Sequence, residues 1–387
     1  FAYDALNRLT SIAFPDPTQD VALTYDVSAS ACGSGERFNV GRLGSVIHQN
    51  GSTQYCHDRF GQLTRKVQIL NGNSLTVRYR HDAGGRVKSV TYPDGSTADY
   101  VRDKQGRVTE VGLQRAGAAR HVIANTITHA PFGPITGWTL GNGRRLDRPV
   151  DQNYRPTAVH DMASAGLSIA LGYDPAGSVT ELRSADTNAV LSKYAYDRMA
   201  RLLNSVDAAG MPTHTYGWDA TGNRLQAGGS AGTEAYHYAD GNHHLISVGD
   251  QMRVYNADGS TIRRDGQDLV HDNAGRLSQV RQAGAVVARY AYNHRGERVL
   301  RQSHGTTVLT LYDEDAQWLG DYTPSGQARQ QVVWLENYPI AVFGPESTAA
   351  PALAYIQPDH LGTPRNIIDA VRNVSIWQWD LQGERSE

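Results

Sequence analysis

The sequence predicts an all-β chain made of β-hairpins that recur about every 22 residues. Three observations predict it. A short motif, an aromatic residue and Asp followed by a tight turn and then Arg, Gln or Asn before Leu or Val, runs through most of the chain. Glycine (39) and tyrosine (20) are plentiful while methionine (4) and phenylalanine (6) are scarce, a balance suited to short strands joined by tight turns. A fixed period of this size is the mark of stacked repeats, each too small to bury a core alone.

The first copy is Tyr3-Asp4-Ala5-Leu6-Asn7-Arg8-Leu9. Others are His57-Asp58-Arg59-Phe60-Gly61-Gln62-Leu63, His81-Asp82-Ala83-Gly84-Gly85-Arg86-Val87 and Tyr196-Asp197-Arg198-Met199-Ala200-Arg201-Leu202. The turn position falls at residues 7, 41, 61, 85, 106, 133, 154, 177, 200, 222, 242, 259, 275 and 296, with 41, 133, 154, 242 and 259 the weaker members. A Gly/Ser-rich insertion, 28–38, lengthens the first interval.

Each unit has the same physical logic. Aromatics two apart before the Asp, such as Tyr79 and His81 or Tyr290 and Tyr292, share one face of a strand. The Asp side chain caps the turn, and the glycine three positions on takes the positive φ of a tight reversal. The following Leu or Val opens the returning strand. Neighbouring hairpins stack in chain order, which places ring beside ring and predicts a curled, spiralling sheet forming a partial or complete hollow shell. The array is assigned to residues 1–310, and residues 311–387 to a distinct C-terminal segment.

Composition excludes several functions. With 37 basic and 39 acidic residues and no long basic run, the chain lacks the electrostatic footprint of a nucleic-acid binder. Mean hydropathy is −0.49, and no run approaches the roughly 20 apolar residues of a membrane-spanning helix. Cys32 and Cys56 are the two cysteines, and they suit either a bridge between neighbouring repeats or two buried thiols. The chain opens at Phe1-Ala-Tyr-Asp without an initiator Met or a signal-like segment, as expected of a piece of a longer protein.

Candidate sites each compete with a structural reading. His57, His81 and His271 occupy the register that Tyr fills elsewhere, so they read as ladder rings, and the many His-Asp neighbours follow without a catalytic dyad. His237, Asp240, His243 and His244 form the densest ligand-like cluster but match no zinc spacing. Gly141-Asn142-Gly143-Arg144-Arg145 resembles an anion cradle but reads better as a turn. Asp313, Glu314 and Asp315 lack the rest of a calcium loop. No residue is assigned a catalytic, cofactor-binding or metal role, and no cofactor is expected.

The recurring motifs, with Tyr173-Asp174-Pro175-Ala176-Gly177 among the clearest, resemble the YD repeats of Rhs proteins, of the C component of insecticidal Tc toxins and of teneurins. A second segment sharpens the resemblance. Asp359-His360-Leu361-Gly362-Thr363-Pro364-Arg365, followed by Asp369 and by Trp377-Gln378-Trp379-Asp380, is similar to the start of the Rhs-associated core. Here the repeat rule breaks, so Asp359, His360, Gly362, Pro364 and Arg365 are singled out as a family-core motif of unassigned role. An acid/base site and a turn that caps the sheet end are both compatible with these residues.

The resemblance implies a β-strand cocoon around a C-terminal toxin, often freed by self-cleavage, with the rest of the core, the cleavage region and the toxin expected beyond Glu387. It implies a secreted or cell-surface bacterial protein whose partners are its own C-terminal effector and a delivery machinery. The first functional reading is therefore a shell segment that encloses or presents an effector. Two others stand beside it: a carbohydrate-binding surface using exposed aromatic rows, and a polysaccharide-acting enzyme with a luminal site.

Overall fold

The computed structural model describes residues 1–345 and 352–379 and the backbone of 385–386. Asp380, the last residue of the second matching segment, lies outside them. Among the described residues, 36 strands form one antiparallel ribbon. Each strand pairs with its chain neighbours, from Ala2–Tyr3 on Leu9–Ile12 to Ser375–Trp379 on Arg385–Ser386. Among the described residues, helical structure is limited to the short 3-10 turns Pro17–Gln19 and Ser34–Glu36.

The repeat motif builds one end of each hairpin. At Asp82, Oδ1 accepts the backbone N–H of Gly84 (2.9 Å) and of Arg86 (3.1 Å), while Gly85 donates its N–H to the Asp82 carbonyl at 3.0 Å. Gly85 sits at φ 80°, and the same place is held at positive φ by Asn7, Tyr154 and Ala200 in other copies. Two predicted turn residues are displaced by one: Phe132 and Gly241, not Gly133 and Asn242, take the positive φ. The second aspartate oxygen accepts Nε of an arginine four residues on in Asp82–Arg86 (2.8 Å), Asp151–Arg155 (2.7 Å) and Asp197–Arg201 (2.7 Å).

The arginine then reaches the next unit. Its guanidinium lies over the following ring, Arg155 on Tyr173 at 4.8 Å and Arg276 on Tyr292 at 5.1 Å. That ring in turn donates its polar tip to the start of the preceding return strand: Tyr173 to Pro156 O (2.6 Å), Tyr196 to Val179 O (2.7 Å), Trp218 Nε1 to Leu202 O (2.8 Å) and Tyr292 to Leu277 O (2.8 Å). Tyr-Asp is thus a coupling device between units. Four of the other hairpin ends among the described residues carry two consecutive positive-φ residues, at Asn71-Gly72, Asp265-Gly266, Ala283-Gly284 and His304-Gly305. That is the turn whose twist matches paired strands.

The expectation of a curled, spiralling wall around a hollow is corrected. The ribbon is open: no pairing joins its ends or closes it into a barrel among the described residues. Its stretches instead lie against one another through side chains. One continuous core takes residues from both halves, including Leu75, Val77, Trp138 and Leu146 from the first and Leu311, Val333, Phe343 and Ile368 from the second.

Cross-layer bonds run from Gln68 Nε2 to Thr310 O (2.9 Å), from Tyr92 to Val332 O (2.7 Å) and from Tyr100 to Trp334 O (3.0 Å). The physical reason is the size of the inward residues. Large apolar side chains on alternating positions gain roughly 1.5–3 kcal/mol each when fully covered, so opposing layers pack and fill the space between them.

A smaller core of Val21, Val46 and Tyr55 serves the first units. Beside it Cys32 and Cys56 form a disulfide with Cα atoms 5.4 Å apart, resolving the two readings in favour of a bridge. It ties the Gly/Ser-rich insertion to strand Gly51–His57.

Candidate functional site

The segment 359–365 lies at a hairpin end and keeps the repeat geometry. Asp359 Oδ1 accepts the N–H of Leu361 (2.8 Å) and Thr363 (3.0 Å), and Gly362, at φ 86°, donates its N–H to the Asp359 carbonyl. The break expected here is thus one of sequence, not of backbone. What differs is the arginine: Arg365, six residues on rather than four, binds Asp359 Oδ2 at 2.8 Å. Pro364 opens the returning strand Pro364–Asp369. A Cβ on Gly362 would approach Asn337 O to 3.1 Å, so glycine also serves a close contact between turns.

Sequence reading missed the residues beneath this turn. Arg148, 3% exposed, donates to Pro358 O and Asp359 O, both at 2.8 Å, and stacks 4.1 Å over the Tyr338 ring. Next to it Gln357 joins Asp161 Oδ2 (2.5 Å), Leu167 N (2.8 Å) and Asn366 (3.1 Å), while Arg144 closes on Asp161 at 2.7 Å. Gln357, a polar side chain in the otherwise apolar strand Leu353–Pro358, was the available signal.

His360 lines a small apolar cavity of about 210 Å³ with Ile169, Leu171, Tyr194 and Leu202. Burial lowers its pKa, and its Nδ1 is enclosed without a partner. Asp359 is held by two backbone N–H groups and a guanidinium, so both of its carboxylate oxygens are engaged within the turn.

The other sequence candidates are dispersed or engaged. Among the described residues no group of three His, Cys, Asp or Glu side chains is placed to hold a metal. His243 Nδ1 bonds to the Asn223 amide, and His244 stacks on Tyr255 with ring centres 4.6 Å apart. In 141–145, Arg144 is spent on Asp161, Ser164 O and Asn373, and Arg145 on Asp147 and Thr126 O. His57, His81 and His271 stand at the ends of strands Gly51–His57, Asn73–His81 and Gln267–His271, in the place of the coupling tyrosine.

The acidic turn is more informative. Asp313 Oδ1 caps Asp315 N (2.9 Å) and Gln317 N (2.8 Å), as in the other repeats, and burial pushes its pKa up to about 6. Glu314 meets Lys66 at 2.6 Å across the layers and Arg295 at 3.1 Å. This turn and that of Glu336-Asn337 cover the face carrying Leu63, Tyr79, Val90, Tyr100 and Val108, leaving a cavity of about 420 Å³.

Comparison with known proteins assigns the family. The teneurin YD-shell family model matches residues 146–380, well over half of the chain. The chain belongs to the teneurin YD-shell family. The RHS repeat model matches this YD-shell chain again at 57–97 and 81–113.

Over 243 residues the YD-shell chain is 27% identical to toxin protein Tse5 of Pseudomonas aeruginosa, which covers 57% of this chain and 18% of that protein. Solved structures share the fold. A TcdB2-TccC3-Cdc42 crystal structure matches with a TM-score of 0.76 at 16% identity over 96% of this chain and 22% of that one. A Tc holotoxin pore of Photorhabdus luminescens matches with a TM-score of 0.73 at 14% identity over 95% of this chain and 22% of that one. The YD-shell chain thus spans about a fifth of the length of these relatives, between 18% and 22%.

The aromatic rows do not form an open platform. Tyr55, Tyr92, Tyr322, Tyr355 and Trp138 are buried, and the ladder rings lie under arginines with their polar tips bonded to carbonyls. The carbohydrate-surface reading loses its main support.

Proposed function

We propose that this chain is the YD-repeat shell segment of a bacterial Rhs-type toxin, a non-catalytic scaffold that encloses or presents a C-terminal effector of the parent protein. The observation that carries the reading is the coupling of successive units, as where Tyr196 bonds Val179 O, Asp197 holds Arg201 and Arg201 lies over Trp218, which spends functional-looking side chains on holding a wall. The kinship with a protein named as a toxin and the fold shared with Tc toxin components support the same reading. We also keep the division into a repeat array, 1–310, and a core-like segment, 311–387. Export to an oxidising surface or exterior is supported by the Cys32–Cys56 bridge, since structural disulfides persist where thiols are not kept reduced.

The test uses the full-length natural protein. Native purification followed by mass measurement after denaturation is expected to reveal a separate C-terminal fragment that co-purified with the shell. A full-length parent that remains one uncleaved species, with its C-terminal region freely digested by protease, counts against an enclosed effector.

A further inference from the structure

We propose that the cavity between the face carrying Tyr79 and Tyr100 and the turns at Asp313–Gln317 and Glu336-Asn337 receives a lysine or arginine side chain of an extended peptide. This goes beyond the shell reading and does not depend on it. The floor is apolar, made by Leu63, Val87, Val90 and Val108, and Tyr79, Tyr100 and Trp334 add ring surface. The tips of Tyr100 and Trp334 are satisfied by the carbonyls of Trp334 and Trp318, so their rings rather than their polar atoms are available. An aliphatic stem ending in a cation suits such a lining, because Lys and Arg bury their methylenes and present the charge at the end.

The rim supplies the counter-charge. Glu314 is already neutralised by Lys66 and Arg295, but among the described residues Asp315 and Glu336 have no cation within ion-pair distance, and Asp313 uses Oδ1 alone on its turn. Facing them are Arg102 and His81, so the balance among the unpaired groups stays acidic. Burial raises the pKa of Asp313, and an incoming cation would offset that cost.

Two further atoms ask for a partner. Tyr79 is 9% exposed and lines the cavity, yet its hydroxyl is enclosed with no hydrogen bond. Nη1 of Arg102 is likewise enclosed without an acceptor. Buried polar groups are rarely left unpaired. A peptide carries a carbonyl for the arginine as well as a cation for the carboxylates, which favours it over a simple amine.

The probes are Nα-acetyl-arginine methylamide and Nα-acetyl-lysine methylamide, with the norleucine analogue as the uncharged control, titrated by NMR into the full chain described above. At least one basic probe is expected to saturate with a Kd on the order of 1 mM. Asp313→Asn keeps the turn cap, as Asn256 and Asn293 do naturally, and is expected to weaken that probe about tenfold without changing the control. Tyr79→Phe removes a buried unpaired hydroxyl, so the fold is retained while the probe weakens. Failure of both basic probes to saturate, binding of norleucine as tight as theirs, or affinity unchanged in both variants overturns the proposal.

Discussion

Tyr196 donates its hydroxyl to the carbonyl of Val179 at 2.7 Å, and Val179 stands five residues after Asp174, the turn aspartate of the unit before. Tyr292 repeats this with Leu277, five residues after Asp272. In these two units the tyrosine therefore reads the turn behind it, while the residue that follows it, Asp197 or Asn293, builds the turn ahead. Tyr196→Phe is expected to cost about 1 kcal/mol, the usual net worth of such a bond. Tyr3→Phe, at an exposed ring with no hydroxyl partner, is expected to be nearly neutral. Urea denaturation of the two variants side by side makes the comparison.

The aspartate has two jobs, and substitutions separate them. Oδ1 of Asp197 caps Met199 N (2.8 Å) and Arg201 N (2.9 Å), while Oδ2 binds Arg201 Nε at 2.7 Å. The Arg201 backbone N–H first, and the guanidinium after it, hold this carboxyl below the usual carboxylate range. Asp197→Asn preserves the cap and is expected to be mild, because Asn256 and Asn293 make the same two backbone bonds in their own turns. Asp197→Ala removes both jobs and is expected to lower stability clearly more than Asp197→Asn does, as the loss of a helix cap would. Denaturation midpoints of the two variants should differ in that order.

How much of this was legible in the sequence follows from what kind of contact each residue makes. Asp82 and Gly85 act within a few residues of chain, so period and spacing sufficed to predict their turn. Asp359 and Gly362 obey the same local rule, but Pro364 and a displaced Arg365 masked it in the sequence. Gln68 with Thr310 and Tyr92 with Val332 meet across some 240 residues, and a repeat pattern carries no information about which units oppose. That is why the curled hollow was expected where packed layers are found. The cavity beside Asp313 was invisible for the same reason, since its lining is drawn from both layers.

The Cys32–Cys56 bridge closes a loop of 24 residues in sequence separation. A loop of that size contributes about 3 kcal/mol when cross-linked, chiefly by restricting the unfolded chain. Its removal in a Cys32→Ser/Cys56→Ser variant should therefore be felt where the bridge sits. Repeat arrays transmit stability mainly to neighbours, so hydrogen exchange is expected to rise in the first units and to stay unchanged around Val333 and Phe343. Uniform acceleration along the chain would show instead that the first units nucleate the whole ribbon.

Acid should act where the first units meet the unit of His294, whose ring lies against Tyr55. His48 and His294 are enclosed, with both nitrogens of His48 and Nδ1 of His294 unpartnered. Burial lowers each from 6.5 to about 4, helped at His48 by Arg276 and at His294 by His48, Lys66 and Arg295. The folded form thus binds these protons less readily than the unfolded chain, so their contribution is complete above pH 6.5 and is lost as pH falls toward 4.

Each ring accounts for up to about 3 kcal/mol over that interval. Asp313 works in the opposite sense: raised from 3.8 to about 6, it makes the fold more stable as it is protonated through the same window. Two histidines against one carboxyl leave a net loss. Urea denaturation at pH 7.5 and pH 4.5 is expected to show the wild-type chain losing stability. His294→Gln, which removes one titrating ring and its repulsion of His48, should lose visibly less. Equal losses in the two proteins would place the acid sensitivity elsewhere.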